Sequence, residues 1–380
     1  MLEVTFNTQK ILLLFFGALC CFALVLPPTR PIIDYDILLE ILIILLSQLY
    51  FKRTSIKNVV IIMFMAFYLA LTFIIFMHSN NFHIADYLIA YKFIFYLIFM
   101  LQVSSSDIIS ERNLRNIFYI FLVSMFLRYV VVYTFELYKR PLLFTENNFE
   151  LMIILLLWVQ VSLHKKYVCN IVTILVLLTV LLSGSRSAML SYIVIFISKR
   201  VIFNDVSVSR KIVISFFAII LLLSAISIFL LIRPLGDLSA IDRLMFVQVF
   251  LAESKGWSVT SWLFGTWPIT PLSKFGCDQM LFYDRLFSRF DPELCYSPVF
   301  HSMLLRIIYD HGIIGLFFAY GLVYYALYRS GVKKQSAYMI IVTLLINGLS
   351  VSSINSPYVV LPLLLIIASD QRCFRLKEGS

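Results

Sequence analysis

Apolar runs close to the length of a bilayer-spanning helix recur along the whole chain, and no other feature restricts its fold as much. They fall at 11–27, 32–50, 59–77, 87–103, 116–135, 150–163, 168–182, 188–203, 211–232, 300–327, 337–350 and 356–369. Inside hydrocarbon every backbone N–H and C=O must be satisfied within the chain, which leaves only helices and closed barrels. A barrel would show segments of about ten residues with alternating polarity. These runs do not alternate, so the expected fold is an all-α polytopic membrane protein with about 12 transmembrane helices. Composition closes off the soluble alternative: of 380 residues 61% are hydrophobic and 14% charged, with 35 Phe and 21 Tyr, more apolar surface than a globular domain buries. The first run follows Lys10 and meets Pro27 and Pro28 without a small-residue cleavage site, so a retained helix is expected there and not a signal peptide.

Basic residues alternate from break to break. Eighteen Lys and Arg occupy the N-terminus, 51–57, 104–116, 164–167, 199–211, 328–336 and the C-terminal tail, against four (Arg30, Lys139, Arg140, Arg186) in the opposite short turns. By the positive-inside rule both termini are cytoplasmic and the second set faces the exterior. The net charge of +10 therefore reports topology and not an affinity for nucleic acid.

One connection is long. It spans 233–299 on the exterior side and divides the chain into helices one to nine (1–232), the loop itself, and helices ten to twelve with a cytoplasmic tail (300–380). Connections of this length are uncommon unless functional. It carries Trp257, Trp262 and Trp267, which either anchor it at the interface or stack on sugar rings. In the segment 241–253, Leu244, Val247 and Leu251 share one helical face, and the loop is expected to fold against the membrane surface. Of the cysteines, Cys20, Cys21, Cys169 and Cys373 lie in spans or on the cytoplasmic tail, where no disulfide is expected. Cys277 and Cys295 both fall in the exterior loop and are expected to pair.

Chemistry-bearing residues crowd the exterior side. "LLSGSRSAML" sets Arg186 in a tight polar turn, and "AIDRLMF" puts Arg243 in the loop. A guanidinium fork matches phosphate oxygens, and two of them offset a diphosphate without a metal. His301 opens the tenth span, where a neutral imidazole is suited to take a proton from an attacking hydroxyl, although a lone histidine at a helix end also suits an interfacial role. His78, His83, His164 and His311 have the same chemistry in poorer settings. No group of His, Cys and carboxylates has metal-site spacing, and neither a phosphate-binding Gly-rich loop nor a nucleophile elbow is present, so no metal or other cofactor is expected.

His301-Ser302, nine residues, then Gly312-Ile313-Ile314-Gly315 resembles the His-polar-x9-Gly-x-x-Gly pattern of the O-antigen ligase and polymerase superfamily. The "SGSRSA" turn at 183–188 is similar to that family's Ser-Arg motif, and "DRLMF" followed by "LFGTWP" at 263–268 to its loop arginine and glycine-bearing turn. "FTENNFELM" at 144–152 is similar to an asparagine-containing segment that opens a span in relatives, so the resemblance covers about 140–320. It implies a GT-C-like fold and a metal-independent, inverting glycosyltransferase of the bacterial inner membrane. Such an enzyme uses glycans carried on undecaprenyl diphosphate at the periplasmic face. Arg186 and Arg243 would hold the diphosphate, and His301 would act as general base.

Ligase members often follow Gly-x-x-Gly with two threonines, whereas Leu316 and Phe317 stand here, which favours a polymerase over a ligase that delivers glycan to lipid A-core. A polymerase would extend O-antigen or a related surface polysaccharide, a part of lipopolysaccharide biosynthesis, alongside a chain-length regulator protein. Twelve spans also suit a glycolipid flippase or another secondary transporter, but no repeat relates 1–190 to 191–380 and the polar candidates crowd one side. A scaffold in an export assembly is a third reading, under which Arg186, Arg243 and His301 are replaceable. The intramembrane charges Glu40, Lys92, Arg128 and Arg306 face either a cavity or a partner. Arg306 either lines the same cavity lower down or only pairs structurally; Lys92 and Arg128 either meet a second headgroup or pair between helices.

Overall fold

A computed structural model describes residues 2–25, 34–50, 54–79, 81–103, 109–137, 141–163, 170–199, 242–266 and 269–369. A helix stands at each apolar run except 211–232, which lies outside the described residues. So do 233–241 of the loop, Trp267, His164, Cys169, the tail with Cys373, and many basic residues of the connecting turns, Arg30, Lys139 and Arg140 among them. The helices of the first part are α1 (Leu2–Val25), α2 (Tyr35–Tyr50), α3 (Ile56–Met77), α4 (Ile84–Val103), α5 (Glu111–Thr134), α6 (Asn147–Leu163), α7 (Asn170–Ser183) and α8 (Arg186–Ile197). Among the described residues of the loop stand three short or mid-length helices: α9 (Asp242–Glu253), α10 (Val259–Phe264) and α11 (Lys274–Gln279). The chain continues through α12 (Met303–Arg329), α13 (Lys334–Gly348) and α14 (Pro357–Ile367). Among the described residues the only extended pairing is an isolated bridge between Ile109 and Ser369.

Local chemistry sets the helix starts. Ser55, Ser110, Ser185 and Ser302 stand in extended backbone just before α3, α5, α8 and α12, and each side chain accepts a backbone N–H of the first turn. Among the described residues four helices, α3, α4, α5 and α12, are long and apolar enough to cross a membrane. Apart from α1, with 24 residues, the others are shorter, and α6 and α14 show why: they form the centre of the bundle, packed on each other. From Leu151 to Val159 every side chain of α6 is buried, and so is every residue of α14. A helix that is hydrophobic all round belongs in such a position. By contrast α3 is peripheral and exposes Val60, Met63, Phe64, Phe67, Leu71 and Ile74, the surface of a chain that lies in lipid.

Charges inside the bundle have protein partners. Lys92 of α4 pairs with Glu40 of α2. Arg128 Nη1 donates to the Leu24 carbonyl at 3.1 Å. Arg306, fully buried in α12, donates to the carbonyls of Ile89 and Ala90 in α4. Arg306→Met is expected to lose about 2–3 kcal/mol, the worth of hydrogen bonds made by a charged group. A thermal-unfolding midpoint in detergent unchanged from wild type would contradict this.

The 242–300 region has a small core of its own, made of Phe246, Val249, Phe250, Leu272, Met280, Phe287, Val299 and Phe300, which reaches Tyr309 on α12. Cys277 and Cys295 are joined by a disulfide within it, their Cα atoms 5.6 Å apart. Beside the bond, Leu272 N–H donates to the Cys295 carbonyl at 2.9 Å. The unit docks on the start of α4, where the Asp86 carboxylate accepts from Ser288 Oγ (2.6 Å) and Arg289 N–H (3.0 Å). Tyr296 packs edge-on against Phe76. Burial, with the Asp86 carboxylate adding, pushes the Tyr296 hydroxyl up to about 12. Cys295→Ser is expected to loosen this core by about 3 kcal/mol, the chain-entropy worth of a short closed loop. The readout is proteolysis between 255 and 300, accelerated in the variant and, with reductant, in wild type.

Candidate active site

His301 stands between two fixed points. Before it, the turn Ser297–Val299 is pinned to α12 by Ser297 Oγ donating to the buried Asp310 carboxylate, and Phe300 fills the loop core. After it, Ser302 caps α12 and donates its hydroxyl to the Gly348 carbonyl at 3.0 Å, while Met303 N–H reaches the Val351 carbonyl at 3.2 Å. The half-buried imidazole lies on an aromatic shelf, 4.3 Å from the Tyr283 ring and 6.2 Å from that of Phe246, centroid to centroid.

Phe246 ties Arg243 to this point. Both belong to α9, three positions apart, and side chains at that spacing are neighbours on one face. The loop arginine and the histidine are therefore brought to the same side of the loop core, although no sequence spacing connects 243 with 301. Tyr283 and Phe246 are the site residues that sequence reasoning missed. They lie in the 3-10 segment Leu281–Leu286 and in α9; no motif marks Tyr283, and Phe246 closes the "DRLMF" string, where only the arginine drew attention.

Arg186 is the first residue of α8, half-buried, in a turn built from short polar side chains. Ser183 Oγ accepts Ser185 N–H at 3.1 Å, and Ser185 Oγ accepts Ala188 N–H. The turn is anchored to the start of α6, where Asn147 Nδ2 donates to the Ser183 carbonyl at 2.8 Å. Glu150, one turn further on, accepts the N–H groups of Leu143 and Phe144. The asparagine-bearing segment 144–152 thus supports the Arg186 turn.

A single pair on α13 relates Arg186 to His301. Asn347 Nδ2 donates to Ser191 Oγ of α8 at 2.7 Å, and its neighbour Gly348 accepts from Ser302. Ser191 is five residues, about 7.5 Å at the helical rise, from Arg186. Arg186, Arg243 and His301 accordingly share one end of the bundle, the end at which the loop core docks on α4. Arg306 is set apart, its guanidinium engaged on α4.

Glycines carry the contact between loop and bundle. Gly312 interrupts α12 with φ +66°, and a side chain there would meet the Leu263 carbonyl oxygen at 2.2 Å. Gly265, φ +80°, faces the Asp310–His311 peptide in the same way, at 2.5 Å. Thr266 donates its N–H (2.8 Å) and its hydroxyl (3.1 Å) to the Tyr309 carbonyl just before the kink. Leu263–Thr266 and the chain from Tyr309 to Gly312 form one backbone-to-backbone joint.

An imidazole on an aromatic shelf, one arginine on the neighbouring helix face and another at the same bundle end can bind an anion and move a proton. Among the described residues no group of His, Cys, Asp and Glu has the arrangement to hold a metal ion. The sequence matches no known family model and no curated protein.

Proposed function

We propose that this chain is a bacterial inner-membrane polymerase of O-antigen or a related surface polysaccharide, moving an undecaprenyl-diphosphate-linked glycan onto another lipid-linked repeat at the periplasmic face. Its twelve spans then have both termini in the cytoplasm and the loop outside. The observation that carries this reading is the convergence of Arg186, Arg243 and His301 on one end of the bundle. The motifs of the 140–320 region agree with it.

The chemistry follows from where the donor is found. Outside the cytoplasm there is no nucleotide sugar, so the lipid diphosphate is itself the activated donor. His301 takes the proton of the acceptor hydroxyl as that oxygen attacks the anomeric carbon from the face opposite the diphosphate. The new C–O bond forms, the bond to the diphosphate oxygen breaks, and the configuration inverts. Arg186 and Arg243 stabilise the charge that develops on the departing undecaprenyl diphosphate, as preorganised cations do best near a low-dielectric boundary. The proton leaves His301 for solvent before the next cycle.

Single alanine replacements of Arg186, Arg243 and His301, followed by electrophoresis of surface glycan, test the reading. Loss of long chains with one repeat still attached is the result expected of a polymerase. Lipid-linked polymer accumulating without capped product would indicate a ligase, the alternative that Leu316 and Phe317 weigh against. Repeats accumulating on the cytoplasmic face would indicate a flippase. Unchanged glycan in all three variants would reduce these residues to scaffold.

A further inference from the structure

We propose that α10, with Gly265 and Thr266, is a re-entrant element that dips into the bilayer beside α12 and takes lipid acyl chains on its exposed face. The proposal goes beyond the catalytic reading and does not depend on it.

Depth is the first observation. The tip of the loop, Leu263 to Thr266, lies against Tyr309 to Gly312 of α12. At that level His311 Nδ1 meets Tyr68 Oη of α3 at 2.9 Å, and its ring packs on Tyr91 and Phe93 of α4. Tyr68 is nine residues, about 14 Å, short of the Met77 end of α3, and α3 exposes apolar side chains from Val59 to Met77. Its 22 residues make about 33 Å, close to a hydrocarbon core of about 30 Å. A contact level with Tyr68 is near the middle of that thickness. Tyr325 Oη donating to Asn58 Oδ1 at 3.2 Å shows that α12 follows α3 onward to its other end, so the register is not local to His311.

Shape is the second. Glu253 accepts from Ser273 N–H (3.1 Å) and Ser273 Oγ, so the chain leaves and returns at one point. Between Lys255 and Lys274 the sequence has no charged side chain, and both lysines are exposed. Lysines bracketing an uncharged stretch suit ammonium groups held at the headgroups while the intervening chain goes deeper.

Surface and satisfaction of polar groups complete the case. Val259, Leu263 and Phe264 are exposed on α10, and Ile314, Phe317 and Phe318 of α12 are exposed just past the joint. Irregular backbone at membrane depth persists only where protein satisfies it. Ser258 caps α10, its hydroxyl bonds those of Thr260 and Ser261, Gly265 N–H returns to the Ser261 carbonyl, and Thr266 is held by Tyr309. Trp257 and Trp262 pack on Phe250 and staple the element to the loop core that carries Arg243 and His301.

Nitroxide labels test this in the full chain with Cys20, Cys21, Cys169 and Cys373 replaced by alanine, in vesicles of phosphatidylethanolamine and phosphatidylglycerol. Labels at Val259→Cys and Phe264→Cys are expected to relax with oxygen and to lose collisions with a water-soluble nickel chelate; a label at Lys255→Cys should do the reverse. A label at 264 as open to the chelate as that at 255, or closed to both agents, overturns the proposal. If the cysteine-replaced background does not assemble, Trp262→Phe in the wild-type chain serves. Quenching of tryptophan emission by lipids brominated midway along their chains should fall in that variant, and equal quenching overturns the proposal. Neither readout involves glycan transfer.

Discussion

Replacing His301 with alanine is expected to stop glycan transfer and leave the protein about as stable as before. The two effects separate because the histidine's surroundings do not depend on its ring. The main chain on either side is held by Ser297, Phe300, Ser302 and Met303. The half-buried imidazole packs on the tilted Tyr283 ring and on Phe246. An aromatic pair is worth about 1 kcal/mol beyond its burial. Loss of a general base lowers a rate by roughly 10²–10⁴. His301→Gln should fail as badly as alanine, because the amide fills similar space and cannot take the proton. The check pairs a transfer rate with a thermal midpoint for each variant. A fall in midpoint matching the fall in rate would make the histidine structural, and a full rate in the glutamine variant would remove its role as base.

Gly312→Ala is expected to be the most disruptive glycine-to-alanine change among the described residues, with Gly265→Ala close behind. At Gly312 the new carbon would sit 2.2 Å from the Leu263 oxygen and 2.4 Å from Phe264 nitrogen, both main-chain atoms that cannot swing away. The backbone there also has φ +66°, which a side chain strains by about 1–3 kcal/mol. Overpacking adds about 1–3 kcal/mol more. The loop tip must then leave α12, taking the two Thr266 bonds to Tyr309 with it. Gly321→Ala is the matched control on the same helix, since nothing lies within 4 Å of its added carbon. Thermal unfolding should separate the pair by several kcal/mol; equal midpoints would mean that α10 does not rest on Gly312.

The helices were legible because lipid-length apolar runs are a local signal. The starts of α8 and α12 are set locally too, by Ser185 capping Ala188 N–H and Ser302 capping Leu305 N–H. What stayed hidden depends on contacts without periodicity. Nothing in the order of residues sets Tyr283 beneath His301, since the loop core that joins them is irregular chain folded around Phe246 and Phe250. Leu244, Val247 and Leu251 do share a face of α9, but all three are exposed, and the buried face is that of Phe246, Val249 and Phe250. Both faces are apolar, so hydrophobicity alone does not choose between them. Arg306 was equally opaque: a cation in a span predicts a partner, and the partners are two backbone carbonyls, which every residue has. The glycine string was visible as a pattern, while the physical role of Gly312, accepting the loop backbone, required the fold.

The most direct measurement uses the full chain in vesicles, with an undecaprenyl-diphosphate-linked oligosaccharide as the only substrate and a chelator present. The account predicts a lengthened lipid-linked glycan of inverted anomeric configuration together with free undecaprenyl diphosphate. Both products should be lost on replacing His301 by alanine and strongly reduced on replacing Arg186 or Arg243. Undiminished transfer by those three variants, or a folded wild-type protein that moves the lipid-linked glycan across the membrane without forming a glycosidic bond, would contradict it.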